Sequence, residues 1–227
     1  EQNRDGENNN HSWNCGWEGP TDDPKINALR RQLIKNAVSI LMVSQGVPMI
    51  VMGDEVAHSK EGNNNTYCQD NELNWFDWTR VESEADIFRF FKQCIAFRKA
   101  HPVLRSRTHF RNVDYMDSGF ADISWHGTQA WEAEWAYHSR TLAFMLDGQH
   151  ARQGTVQDDY IYVAMNMHWE SHPFELPNLP GKRQWHLFVN TSLPTPDDIA
   201  TPGAEALLAD QFSFLVGFRS AIILVGR

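Results

Sequence analysis

No apolar run in this sequence approaches the ~18–20 residues of a membrane-crossing helix, so nothing in its pattern reads as a membrane span. Cysteine is scarce. Cys15, Cys68 and Cys94 make an odd number without a CxxC pair, which argues against a disulfide scaffold and weakly for a reducing compartment. Positive charge is also short. With 20 Lys+Arg against 29 Asp+Glu the net charge is −9, which argues against nucleic acid, whose binding depends on Lys and Arg. No GxSxG elbow, Walker loop, GxGxxG, HExxH or zinc-finger spacing occurs. The chain opens on Glu1-Gln2-Asn3-Arg4-Asp5, with neither Met nor an apolar leader segment. That opening sets the expectation that the sequence is the later part of a longer polypeptide.

What is present is a length of 227 residues, enough for one large domain or two smaller ones, and many aromatics, 9 Trp and 13 Phe. Large aromatics usually fill cores. Residues 1–24 are polar and rich in Asn, Gly and Asp, and read as a loop. Asp23-Pro24 is an N-cap followed by Pro at the first helical position. Ile26, Leu29, Leu33, Ala37, Ile40 and Leu41 then share one face, predicting a helix over residues 24–45, closed by Gly46 and Pro48. Residues 47–52 are a short, wholly apolar run, expected to be a parallel strand buried on both faces and ending at Gly53-Asp54-Glu55. A polar loop follows to about Thr79. Ser83 and Asp86 resemble a capping box opening a second helix, whose apolar face is Ile87, Phe90, Phe91, Cys94 and Ile95 and which ends at His101-Pro102.

After about Pro102 the helical period disappears. Short β-like runs appear at residues 141–146, 160–165, 185–189, 211–216 and 221–225. The prolines at 173, 177, 180, 194, 196 and 202 disfavour helix there. The pattern predicts α/β structure over residues 1–102 and an antiparallel β-sandwich over residues 103–227. Because one parallel strand cannot make a sheet alone, the first hundred residues are expected to be loosely ordered or to self-associate if isolated.

Candidate site residues lie in the two Asn-rich loops. Asp54 and Glu55 sit where a parallel strand is expected to end, the functional edge of α/β barrels. As neighbours they point to opposite sides and make a poor acid–nucleophile pair, which needs carboxyls about 5–5.5 Å apart. Their other reading is loop anchoring. Trp13 and Tyr67 offer faces for stacking on sugar rings, or packing for the loops. His11 and His58 offer hydrogen bonds to a sugar or to loop backbone. The amides of Asn8-Asn9-Asn10 and Asn63-Asn64-Asn65 suit sugar hydroxyls but also close tight turns. Asp70-Asn71-Glu72 suggests calcium only weakly, because the EF-hand spacing is absent. No metal or cofactor is expected.

Several long motifs resemble isoamylase-type glycogen and starch debranching enzymes of the α-amylase superfamily. They are Arg4-Asp5-Gly6 with Asn9-Asn10-His11-Ser12-Trp13-Asn14-Cys15-Gly16-Trp17-Glu18-Gly19; Val43-Ser44-Gln45-Gly46-Val47-Pro48-Met49 through Gly53-Asp54-Glu55; Gly62-Asn63-Asn64-Asn65-Thr66-Tyr67-Cys68-Gln69-Asp70-Asn71; and Phe97-Arg98-Lys99-Ala100-His101-Pro102-Val103-Leu104. Trp125-His126-Gly127, Val163-Ala164-Met165-Asn166 and Phe188-Val189-Asn190-Thr191-Ser192 are similar to the C-terminal β-domain of that family. The resemblance implies that residues 1–102 are the last part of a TIM (β/α)8 barrel: the loop after strand 7, helix 7, strand 8 and helix 8. It implies retaining hydrolysis of α-1,6 branch linkages in a branched α-glucan such as glycogen, amylopectin or limit dextrin, and a cytoplasmic setting in a bacterium or a plastid in a plant. The family's transition-state-stabilising Asp belongs to a His-Asp motif, and this sequence contains no His-Asp pair. No catalytic residue is therefore assigned. His11, Trp13, Asp54, Glu55, His58 and Tyr67 are expected to shape the glucan site. The alternative is a non-catalytic glucan-binding or structural module.

Overall fold

The computed structural model describes residues 9, 11–151 and 157–227. Helix α1 spans Pro24–Val43, and the Asp23 carboxylate caps it by accepting from the Lys25 and Ile26 amides. It stops two residues before the expected Gln45. Ser44 is extended, and its hydroxyl donates to the Ile40 carbonyl at 2.6 Å. The short helix α2, Arg80–Ser83, precedes α3, Ala85–Ala100. The expected capping box is not formed: Glu84 occupies the cap position without a side-chain bond. The acidic groups turn outward instead. Arg31 of α1 meets Glu84 at 2.6 Å and Asp86 at 2.7 Å, linking the two helices.

Residues 47–52 depart most from expectation. They form no strand, and Val47 and Met49 are 96% and 85% exposed. A parallel strand exists only with hydrogen-bonded neighbours, and no described residue pairs with this run. The barrel portion expected from the resemblance is thus represented by helices and loops without a barrel sheet.

Among the described residues eight strands follow: β1 Ile123–His126, β2 Thr141–Leu146, β3 Tyr160–Asn166, β4 His172–Glu175, β5 Trp185–Asn190, β6 Ala206–Leu207, β7 Ser213–Val216 and β8 Ser220–Gly226. They make an antiparallel sheet in the order β1-β2-β3-β8-β5-β6 and a two-stranded sheet β4-β7. The runs expected at 141–146, 160–165, 185–189, 211–216 and 221–225 all contain strands. Strands β1, β4 and β6 were not anticipated, being short or, in β4, carrying Pro173.

The central strands of the large sheet, β3 and β8, are covered on both faces. Along β8 the side chains alternate. Ile223 and Val225 join α1 and α3, while Ile222 and Leu224 join Trp185 of β5 and the small sheet's Phe174 and Val216. On the helix side Phe97 of α3 stacks on Phe188 of β5, with centroids 4.0 Å apart. The first hundred residues, expected to be loosely ordered, thus pack the apolar faces of their helices on this sheet. A buried ion cluster reinforces the contact. Asp198, wholly buried, pairs with Lys35 of α1 at 2.6 Å and with Arg89 of α3, and accepts from Thr195 at 3.0 Å.

Candidate functional site

The loop after residue 52 is built on backbone geometry. Gly53 (φ 104°) and Ala57 (φ 50°) are left-handed and enclose a 3-10 turn, Asp54–Val56, whose Val56 is buried. Glycine is required at the first position. A Cβ there would lie 2.7 Å from the Cβ of His58, and positive φ disfavours one regardless. The Asp54 carboxylate accepts the Val51 amide at 3.0 Å, and Glu55 accepts the Gly53 amide at 2.9 Å. Both carboxylates thus hold their own loop.

His58 donates from Nε2 to the Leu73 carbonyl at 3.0 Å, while its amide donates to Gly53 O at 2.9 Å. The far side of the loop is thereby drawn back to the turn. Arg80 donates to the carbonyls of Val56 and Ala57 at 3.0 and 2.7 Å. Lys60 donates to Leu73 O and Asn74 Oδ1, and Asn74 donates to Thr66 O and Gln69 O. Sequence reading missed Arg80 and Asn74, since nothing in their surroundings marks them as loop anchors. Tyr67 stands on this frame 85% exposed. The amide-rich triplet does turn work: Asn63 Oδ1 accepts the Asn65 amide at 2.9 Å. Asp70 accepts from Trp75 Nε1 and Asn71 from the Leu73 amide, so both stitch the loop. At the loop's end the Thr79 hydroxyl and amide on Asp77 hold that carboxyl below its ordinary range.

The loop before α1 supplies the other two candidates. Asn14 Oδ1 accepts the Gly16 amide, and Arg30 of α1 donates to the Asn14 carbonyl at 3.1 Å. His11 is exposed. Trp13 is 53% exposed, and the Arg219 guanidinium lies over its ring at 4.8 Å, which ties it to the β7–β8 corner. Asn8 and Asn10 lie outside the described residues. The structure therefore groups Asp54, Glu55 and His58 on one turn with Tyr67 on the loop folded against it. Trp13 is placed beside the β-domain. Chemically this is a surface for stacking and hydrogen bonding. Two adjacent carboxylates pinned to backbone amides do not form a separated acid and nucleophile.

Residues 124–213 match the family described as isoamylase 1-3, C-terminal. The chain is 39% identical over 227 residues to the "Glycogen operon protein GlgX homolog" of Mycobacterium tuberculosis, covering 95% of this chain and 32% of that protein. It is 42% identical over 204 residues to "Isoamylase 1, chloroplastic" of Arabidopsis thaliana, covering 89% of this chain and 24% of that protein. It spans about a third or less of the relatives it matches. Among solved structures it is similar to a mutant pullulanase from Paenibacillus barengoltzii complexed with maltotriose, at 26% identity and TM-score 0.61 over 91% of this chain and 26% of that one. The pullulanase from Bacillus acidopullulyticus shares the fold at 23% identity and TM-score 0.62, over 91% of this chain and 21% of that one. Among the described residues no helix is long and apolar enough to cross a membrane.

Proposed function

We propose that this chain, whose residues 124–213 match the isoamylase 1-3 C-terminal family, is part of a debranching hydrolase that cleaves α-1,6 linkages in branched α-glucans by a retaining mechanism. The observation that carries the proposal is the 39–42% identity to a GlgX homolog and an isoamylase along nearly all of this chain. The acid, the nucleophile and the transition-state-stabilising carboxylate lie in the portion of the parent protein outside these residues. The pinning of Asp54 and Glu55 to backbone amides supports this division of labour. In the parent, residues 1–102 are the closing segment of a TIM barrel and residues 103–227 the β-domain. Residues 47–52 then take their place beside a neighbouring strand, which accounts for their apolar character.

In this reading the two loops line the glucan cleft. Tyr67 and Trp13 stack on sugar rings, His11 contributes a hydrogen bond, and Asp54, Glu55 and His58 hold the turn that presents Tyr67. The compartment is the cytoplasm in a bacterium or the plastid in a plant. The parent polypeptide carrying Tyr67→Ala tests the assignment with amylopectin as substrate. Loss of one stacking contact worth ~1.4 kcal/mol lowers kcat/KM about tenfold. A change below twofold for both Tyr67→Ala and Trp13→Ala removes these residues from the site.

A further inference from the structure

Among the described residues two groups of three bring metal-ligating side chains together, the ligand atoms of each lying within 4.8 Å of one another. One of them, His101, Asp158 and Asp159, is largely committed to the protein. His101 Nδ1 lies 2.7 Å from Asp158 Oδ1, and the second Asp158 oxygen accepts the Val103 amide at 2.8 Å. The other, His168, Glu170 and His172, is differently placed. His168 and Glu170 lie in the connection between β3 and β4, and His172 opens β4; both histidines are half-buried and Glu170 is exposed. The two imidazole rings have centroids 4.8 Å apart.

The donor set favours a transition metal over calcium or magnesium and suits iron(II) as well as zinc. Two imidazoles and one carboxylate are a ligand combination that zinc takes at about 2.0–2.2 Å, whereas calcium and magnesium favour oxygen alone. The backbone carrying the ligands is already fixed from beneath. Asn166, fully buried at the end of β3, accepts the His168 amide on Oδ1 at 3.0 Å and donates Nδ2 to the Glu170 carbonyl at 2.8 Å. The same amide group reaches Gly217 O at 2.9 Å, and the Arg219 amide donates to the His168 carbonyl at 3.0 Å. Trp169 stacks on the His168 ring at 3.9 Å and limits its rotamers. Anchoring of this kind lowers the ordering cost of ligation. One interaction competes: His168 Nδ1 accepts the Glu170 amide at 3.1 Å, and ligation displaces or repolarises that bond. The net charge of −9 favours cation binding.

We propose that His168, Glu170 and His172 form a zinc-binding site on the β3–β4 turn, with a fourth position for water. Bound zinc ties the end of β3 to β4 and so fastens the small sheet to the large one, adding stability that rises with free zinc. The test is calorimetric titration of zinc chloride into the tag-free full chain, beside the His168→Ala/His172→Ala double variant and Glu170→Gln. The expected result is one zinc per chain in the parent sequence and binding weakened more than about tenfold in the double variant. Glu170→Gln weakens it less, and zinc raises the urea midpoint only where binding survives. Should the double variant lose its circular-dichroism spectrum, His172→Gln carries the same comparison. Absence of saturable binding overturns the proposal. So does equal affinity in the variants, which places the zinc on other histidines of the ten in the chain.

Discussion

At the scale of single residues, buried polar groups carry sharp consequences. His126 of β1 is wholly buried. Its Nδ1 accepts the Trp131 amide at 2.7 Å, so Nε2 carries the proton toward Ser124 Oγ at 2.9 Å. This Ser–His contact therefore holds a turn and does not activate the hydroxyl. Burial pushes the His126 pKa down to about 4 from 6.5. Because the folded state resists the proton, the neutral ring's contribution is complete above pH 6.5 and is lost as pH falls toward 4, on the order of 3 kcal/mol. Burial raises Asp147 and Asp159, which act in the opposite sense. The readout is thus the difference between parent and His126→Gln. Urea midpoints measured from pH 7 to pH 4.5 should fall more steeply for the parent, and parallel curves contradict this account of His126. Asp198 supplies the second residue-scale prediction. Asp198→Ala leaves Lys35 buried beside Arg89 without its carboxylate, and should cost about 3–5 kcal/mol in chemical denaturation. A loss below about 1 kcal/mol would show that the cluster is dispensable.

At the scale of elements, the turn at residues 53–57 is the tightest local constraint on the candidate site. Gly53→Ala forces a side chain into left-handed backbone and against His58. It should speed proteolysis and amide exchange in residues 53–79 while shifting the global denaturation midpoint little. Unchanged exchange there would mean that the turn does not organise the loop. This device was only partly legible in the sequence. Gly53-Asp54-Glu55 stood out as the end of an apolar run, but Arg80 and Asn74, distant in sequence, decide how the loop closes. Strands β2, β3, β5 and β8 were legible because they are apolar and bounded by turn residues. β4 was hidden by Pro173, which an edge strand accepts. The run at 47–52 is not a strand here because a strand needs a hydrogen-bonded neighbour, and none is found among the described residues. Ser83 and Asp86 looked like a capping box, yet Asp86 is drawn instead to Arg31 on α1.

At the scale of the molecule, α1 and α3 share one core with the large sheet through Phe97, Phe188, Ile223 and Val225. Helices and sheet should therefore unfold in a single transition by far-ultraviolet circular dichroism and tryptophan fluorescence alike. Separate transitions would return the helices to the loosely ordered state that the sequence suggested. Exposed Val47, Met49, Val51 and Met52 form an apolar strip on the same molecule. The isolated chain should self-associate through this strip, and Val47→Lys with Met49→Glu should shift it toward monomer in sedimentation. Sedimentation unchanged by the pair would assign association to another surface. The overall division of the chain into a helix-rich first part and a β-rich second part was readable from periodicity alone. The joining of the two through Lys35, Arg89 and Asp198 was not, because those residues lie far apart in sequence.

The central claim is that these residues complete a debranching enzyme without containing its reacting carboxylates. It is tested most directly by release of new reducing ends from glycogen, comparing the purified 227-residue chain with its longer parent polypeptide. The account predicts release by the parent and none by the chain alone. Robust release by the short chain would contradict it and would make Asp54 and Glu55 the first residues to substitute.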